Sequence, residues 1–376
     1  MTSHALVAGG GIAGCASAIA LRKAGIEVTV IDERPADNGG AGAFLRLNPN
    51  GLDALQAIDA LQSVLDVSMP LRRRERWSTD GRLQNELTFE DPDTDRGLEP
   101  RFVTWARLQG ALHDHARRLG TTFQHGARVT SAVETGNRVS VTLANGRQLD
   151  GDILIGADGT RSTIRTLIDP DAPQPEYRGS RTVYGYTPQP PADTPPANEM
   201  LRTYLGPSLF LAYITDPVDG CYWFTNVKTP DPPTTPAPDT EIWRRHLLQL
   251  LRADNSPAEP IVRAATQILA SDDRALPHLP HWHSDRAVVI GDAAHVAPPG
   301  SEQGASMALE DAVVLGQCLR DLELATALST FVNERRERAE TVVALSTGRR
   351  SNSIGPEWAY LHHLDWQKPA GEDVRG

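Results

Sequence analysis

Three glycine-bearing segments, far apart in the chain, constrain its fold more than any other feature. Gly9-Gly10-Gly11-Ile12-Ala13-Gly14 stands near the start, Gly156-Ala157-Asp158-Gly159 at mid-chain, and Gly291-Asp292-Ala293-Ala294-His295 towards the end. The first follows the apolar run Leu6 to Ala8 and precedes a helical run, Ala16 to Lys23, closed by Gly25. Val28-Thr29-Val30-Ile31 then reads as a second strand, completing a βαβ unit of the dinucleotide-binding kind. In such a unit Gly9 permits the tight turn, Gly11 lets backbone approach a pyrophosphate, and Gly14 lets helix and strand pack closely. The N–H groups of Ile12 and Ala13 lie at the positive end of the helix, suited to phosphate. Asp32 ends the second strand, where a carboxylate accepts hydrogen bonds from an adenosine ribose. Glu33 is the adjacent candidate, turned the other way by strand alternation.

A lone G-x-G-x-x-G is a weak signal, but all three segments in this order point to one cofactor, FAD, gripped by stretches that meet only on folding. Asp158-Gly159 and Gly291-Asp292 each follow a buried-strand run, Ile153 to Ile155 and Ala287 to Ile290. Both therefore belong at the sheet edge that faces the ligand crevice. Asp158 is expected to order the loops around the pyrophosphate. Arg165 either pairs with it or meets a nicotinamide nucleotide's phosphate, and a purely structural Asp158–Arg165 pair is an equal alternative. Asp292 is placed for a ribityl hydroxyl. The stretch Pro298 to Ala305 leads into a helix whose free N–H groups, from Gln303, Gly304 and Ala305, suit the flavin N1–C2=O edge. His295 reads as a loop-ordering residue ahead of a catalytic base.

Helical spacing marks Asn50 to Leu65, Leu108 to Leu119, a stretch near Ile242 to Leu251, Gly304 to Arg320 and Thr330 to Ser346. Residues 121 to 155 read as a small β-meander with Asn145-Gly146 as a hairpin turn. Strand-like runs at Ser208 to Thr215 and Cys221 to Lys228 follow a change of character near residue 176, and two proline-rich stretches read as extended loops. The expected fold is α/β: a Rossmann-like FAD-binding domain of glutathione-reductase type, an inserted mainly-β substrate domain, and C-terminal helices. Residues 1–70, 101–175 and 276–350 are assigned to the first, 71–100 and 176–275 to the second, and 351–376 to a tail whose last residues, from Pro369, are expected to be disordered. Substrate contacts are expected from the inner sheet face, where Leu209, Leu211 and Tyr213 share one side of a strand and Tyr222 and Phe224 one side of the next. Pro299 is a further candidate, and Arg46 is placed to meet an anionic substrate group.

Composition narrows the partners. A net charge of -11 argues against nucleic acid, and the one dense basic run, Arg72 to Arg76, reads as a solvated strand face. Three cysteines without C-x-x-C spacing fit a reducing compartment. With no signal-peptide pattern and no run of about 18 apolar residues, the expectation is a soluble cytoplasmic protein, monomer or homodimer, that avoids membranes.

Together the segments resemble the class A FAD-dependent aromatic hydroxylases, whose type member is para-hydroxybenzoate hydroxylase. Gly9 to Gly14, Asp152 to Arg165 and Gly291 to Asp311 match that family's three signatures in order, and the last helix, with Phe331, Arg335, Arg336 and Arg338, is similar to its pattern. Two departures stand out. Trp105 holds the place where many relatives carry arginine, leaving Arg101 or Arg107 to reach the flavin, and Thr104-Trp105 resembles the dihydroxypyridine hydroxylase branch. Glu302 stands where the family usually has glycine, and a carboxylate there opposes anionic reduced flavin unless it points outward.

The resemblance implies a single-component monooxygenase acting on an aromatic or polyketide-like small molecule. NADPH or NADH reduces FAD, O2 adds to give a flavin C4a-hydroperoxide, and one oxygen passes to the substrate. No second G-x-G-x-x-G appears, so NAD(P)H is expected to dock transiently, and the flavin rather than any acid–base residue carries the chemistry. A flavin reductase or dehydrogenase without oxygen insertion is the enzymatic alternative, and a non-catalytic flavin-binding protein the other. A flavin halogenase is disfavoured because the W-x-W-x-I-P pattern is absent, Trp223 standing without it.

Overall fold

The first strand, β1 (His4–Ala8), carries Ala5, Leu6 and Val7 with no exposed surface, and its turn runs directly into α1 (Ile12–Lys23). The structure is a computed structural model that describes residues 2–35, 43–89, 97–231, 239–252, 256–348 and 356–371. Small side chains on α1, among them Cys15, Ala16 and Ala18, let the helix lie close against its neighbours. β1 is the centre of a five-stranded parallel sheet with β2 (Glu27–Asp32), β8 (Thr122–His125), β12 (Ile153–Gly156) and β18 (Ala287–Val289), in the order β18-β12-β1-β2-β8. Ala8 sits opposite both Ile31 and Gly156, and Gly156 opposite Val289. That register brings the three glycine segments to one edge of one sheet, where a parallel sheet binds ligands.

Strand β8 joins this sheet rather than the meander expected over 121–155. The meander is β9 (Val129–Thr135), β10 (Arg138–Leu143) and β11 (Gln148–Gly151), with Gly146 at φ +82° in the β10–β11 turn. The helix expected over Asn50 to Leu65 is two, α2 (Pro49–Ala57) and α3 (Leu61–Leu65), broken where Asp59 adopts φ +60°. A three-stranded sheet of β3 (Phe44–Leu47), β7 (Arg101–Thr104) and β4 (Met69–Pro70) leads to α4 (Trp105–Arg118). A short α5 (Thr163–Ile168) follows β12.

The second large sheet is seven-stranded. Its order is β17 (Gln267–Ala275), β13 (Glu176–Thr187), β16 (Gly220–Lys228), β15 (Phe210–Asp216), β14 (Met200–Leu205), β5 (Arg73–Ser78), β6 (Leu83–Thr88). All pairings are antiparallel except β14 with β5. One face is covered by α6 (Thr240–Leu250) and α7 (Ala258–Arg263), whose Trp243, Leu247 and Ile261 pack with Val183, Tyr213 and Trp223. The other face looks towards β3 and β7, where Phe102 packs with Leu201, Ile214 and Tyr222.

Between the sheets and the surface runs α8 (Gly304–Asp321), buried from Ser306 to Leu319, mostly apolar but carrying the buried Glu310 and Asp311. It packs on α1, α2 and α9 (Leu324–Ser346). Of the disordered tail expected from Pro369, residues 372–376 lie outside the described residues, while the part before them is tied to the fold. A short α10 (Pro356–Tyr360) leads to a segment whose Ala370 and Gly371 N–H groups donate to Asp321 and Glu334. No helix of the described residues is long and apolar enough to cross a membrane.

Candidate active site

The first turn is as tight as backbone allows. Gly9 has φ +106°, and a Cβ there would lie 2.3 Å from the Ala157 carbonyl oxygen; one on Gly14 would lie 1.8 Å from the Gly9 oxygen. Side chains at these positions would therefore separate strand from helix. At Gly11 the nearest atom to a built Cβ is Trp105 at 4.0 Å, so the outer side of the turn is open. Among the described residues no side chain caps α1, which leaves its first N–H groups for a ligand. Gln109, one helical turn from Trp105 on α4, steadies the glycine turn by donating to the Gly10 carbonyl at 2.9 Å. Asp32 closes β2 with its carboxylate held by Arg34, whose guanidinium also lies 4.8 Å from the Trp105 ring centroid. Glu33 is exposed beside it.

The turn opens into a cavity of about 670 Å³ lined by all three glycine-bearing segments and by the seven-stranded sheet. Gly11, Ile12, Ala13, Asp292, Pro299, Gln303, Gly304 and Ala305 all line it. Asp292 faces the cavity while protein encloses it from behind, and this burial raises its carboxyl above the usual range, opposed by His295 and by the Thr160 hydroxyl that donates to it. Gln303 precedes an α8 that, like α1, has no side-chain cap. Its Nε2 is buried with no partner among the described residues, while its Oε1 accepts from Asn50 at 2.9 Å. The two uncapped helix N-termini, the open side of Gly11 and the unpaired Gln303 amide fit FAD: the α1 turn for its pyrophosphate and the α8 end for its isoalloxazine.

Other expected residues lie elsewhere. Asp158 does not line the cavity; it caps α5, accepting from the Ser162 hydroxyl and the Thr163 and Ile164 N–H groups, and burial raises its carboxyl. Arg165 is fully buried and bonds neither Asp158 nor the cavity; it ties the Ala293 carbonyl to that of Thr160. His295 is buried behind the site, 2.7 Å from Asp311, in the loop-ordering role. Arg101 turns away to the Ser68 carbonyl, and Arg107 pairs with Asp219, so neither replaces the family's arginine. Trp105 itself lines the cavity.

On the sheet, Phe224 lines the cavity, and Tyr222 shares its face but packs against Phe102 at 5.4 Å. Leu211 and Tyr213, with Leu209, belong to the opposite face under α6 and α7, and the Tyr213 hydroxyl donates to Pro195. Phe210 and Ile214, one residue out of step, line the cavity instead. Both faces of this sheet are covered, so both sets are apolar and alternation cannot choose between them. The pattern Tyr222, Phe224 did carry a signal that extends two residues further, to Asn226, which the sequence reading missed along with Thr182 and Tyr184. Phe44 joins Tyr184 and Phe224 at 5.8 and 5.7 Å between centroids, giving the cavity aromatic walls. Arg46 lines it too, but its charge is met by Glu302 at 2.8 Å. Glu302 also pairs with Arg74, and the Phe89 ring lies beneath both arginines.

Such a fold and cavity define a flavoprotein in which a cofactor sheet and a substrate sheet share one chamber. A family model described as FAD binding domain matches residues 2–346, and the chain belongs to that family. It is 28% identical over 350 residues, 90% of this chain and 86% of the relative, to the aurachin C monooxygenase/isomerase of Stigmatella aurantiaca. It is likewise 28% identical over 346 residues to an FAD-dependent urate hydroxylase of Klebsiella pneumoniae, covering 90% of this chain and 87% of that one. Among solved structures, Klebsiella pneumoniae HpxO complexed with FAD and uric acid matches with TM-score 0.82 and 25% identity, over 92% of this chain and 87% of that chain. The protein is an FAD-dependent monooxygenase.

Proposed function

We propose that the protein hydroxylates an aromatic small molecule, consuming NAD(P)H and O2 and returning NAD(P)+ and water with the oxygenated product. The observation that carries this is the single cavity onto which the α1 turn, the α8 N-terminus and the aromatic face of the second sheet all open. Residues 1–70, 101–175 and 276–350 form the cofactor half and 71–100 with 176–275 the substrate half. Gly9, Gly11, Ile12, Ala13 and Gly14 cradle the FAD pyrophosphate, Asp32 takes the adenosine ribose, and Asp292 a ribityl hydroxyl. Bound there, FAD supplies the reducing equivalents taken from NAD(P)H and activates O2 for transfer of one oxygen atom.

The protein's own part is positional and electrostatic. The N–H groups at Gly304 and Ala305 favour negative charge at the flavin's pyrimidine edge. Phe44, Phe210 and Phe224 hold a flat substrate and keep water away from it. Cys15, Cys221 and Cys318 are buried, unpaired thiols, which suits a reducing cytoplasm. The test is incubation of the yellow protein with NADPH or NADH, labelled O2 and aromatic candidates, read by mass spectrometry. The expected result is substrate-stimulated NAD(P)H oxidation with one labelled oxygen in the product. Oxidation without incorporation points to a reductase or dehydrogenase, and bound FAD without turnover to a binding protein; either outcome overturns the proposal.

A further inference from the structure

Behind the cavity wall lies a carboxylate with no part in holding FAD. Asp273, on β17, is 5% exposed and does not line the cavity. Its Oδ1 accepts from the Thr182 hydroxyl at 2.8 Å, and its Oδ2 from the Ser180 hydroxyl at 2.6 Å and the Asn226 amide Nδ2 at 2.7 Å. A carboxylate only accepts, so these bonds turn the Thr182 proton and an Asn226 N–H inward and fix which way the amide faces. Thr182 and Asn226 themselves line the cavity. The second Asn226 N–H reaches the Thr182 hydroxyl oxygen at 3.5 Å, so what the pair has left for a ligand is acceptor capacity: the Asn226 carbonyl oxygen and the remaining lone pair of the Thr182 hydroxyl. Thr182 and Asn226 face each other across β13 and β16, and Tyr184 lines the wall beside them, opposite Phe224, with no hydrogen-bond partner among the described residues; burial, with the Asp273 charge, pushes its phenol up to about 12.

Charge points the same way. Among the described lining residues Arg46 is the one cation, and it is engaged by Glu302, which also pairs with Arg74. The other charged groups, Asp292 on the wall and Asp273 behind it, are carboxylates, so the chamber beyond the Arg46–Glu302 pair disfavours an anion. An anionic substrate group at Arg46, as the sequence implied, would have to displace Glu302.

We infer that Thr182 and Asn226, oriented by Asp273, with Tyr184 beside them, select an uncharged aromatic substrate through a hydroxyl or ring N–H that donates to them. The inference rests on the hydroxylase reading and deepens it by naming the substrate class. Asp273 is a positioning residue, acting through Thr182 and Asn226. A substrate lacking the donor leaves buried acceptors unpaired, which is costlier than losing the bond itself.

The experiment is calorimetric titration of the FAD-loaded protein with three probes of one shape: 2-naphthol, 2-methoxynaphthalene and 2-naphthoate. The expected order places 2-naphthol about tenfold or more tighter than the methyl ether, with the carboxylate weakest. In Asn226→Leu and in the isosteric Thr182→Val the preference shrinks to about twofold, while FAD content is unchanged. A merely structural role would weaken all three probes alike. Equal affinities, no binding of any probe, tightest binding of 2-naphthoate, or a preference intact in both variants would overturn the inference. The readout is independent of oxygen transfer: a protein that shows the preference without incorporating oxygen sinks the hydroxylase reading alone, and one that incorporates oxygen without the preference sinks only the inference.

Discussion

Glu302 keeps a left-handed backbone, φ +52° and ψ 25°, which costs a residue with a Cβ roughly 1 kcal/mol. What it gains is a carboxylate between Arg46 and Arg74, joining the loop before α8 to β3 and β5. Replacing it with glycine relieves the backbone and leaves two guanidinium groups uncompensated at the cavity rim. Reduced flavin is more negative than oxidised flavin, so the extra positive field favours reduction. Spectroelectrochemistry of Glu302→Gly is expected to give a higher flavin midpoint potential than the native protein, and affinity for 2-naphthoate is expected to rise. An unchanged or lower potential would show that the carboxylate does not influence the flavin. The sequence singled out Glu302 as a departure beside the flavin edge or pointing outward, and Arg46 as a candidate for an anionic substrate group, but not the two as each other's partner, because they are 256 positions apart. Arg101 and Arg107 failed for a related reason: a free arginine in sequence says nothing of the Ser68 carbonyl or Asp219 that will claim it.

Elements were legible where one local rule governed them. The α1 turn followed from its glycines and α8 from its apolar run, and their register on one sheet edge followed from the strands preceding each motif. The end of the chain was not legible, since its order comes from distant partners rather than from its own periodicity. Trp366 is 7% exposed and lies with Lys23 Nζ 5.2 Å and Arg320 Cζ 4.9 Å from its ring, while Gln317 donates to the Asp365 carbonyl. This strap closes over α1 and α8, where Gly316 leaves room for the indole. Trp366→Ala is expected to cost about 3–5 kcal/mol and to lower Tm by about 4–6 °C in a thermal melt. A melt within a degree or so of native would show that the strap only decorates the surface.

Over the whole molecule, acid stability is set by charges sealed between α8 and α9. Glu310, fully buried, accepts from Arg335, Arg338 and Asn50, and Asp311 from Arg335, His295 and the Gly291 N–H. Burial acts to raise both carboxyls, but the arginines and His295 outweigh it, holding Glu310 at about 2 and Asp311 well below its usual range. Burial also lowers His362 to about 4, with Arg338 and Arg335 adding to the effect against Glu310 and Asp53. The signs agree. Each group binds protons more readily in the unfolded chain, so each stabilises the fold above its unfolded pKa and loses that contribution as pH falls. His362 acts from about 6.5 down to about 4, and Glu310 from about 4.5 to about 2. At about 1.4 kcal/mol per unit, the Glu310 shift alone is on the order of 3 kcal/mol. Asp158 and Asp292, whose carboxyls are raised by loss of solvent, act in the opposite sense. Thermal melts from pH 7.5 to 4 should therefore show Tm falling already below pH 6.5, before ordinary carboxylates titrate, and His362→Gln should flatten that upper part of the curve while leaving the lower part in place. If native and variant fall in parallel from pH 6.5 to 4.5, His362 is not the group that opens acid unfolding, and the buried carboxylates carry it alone.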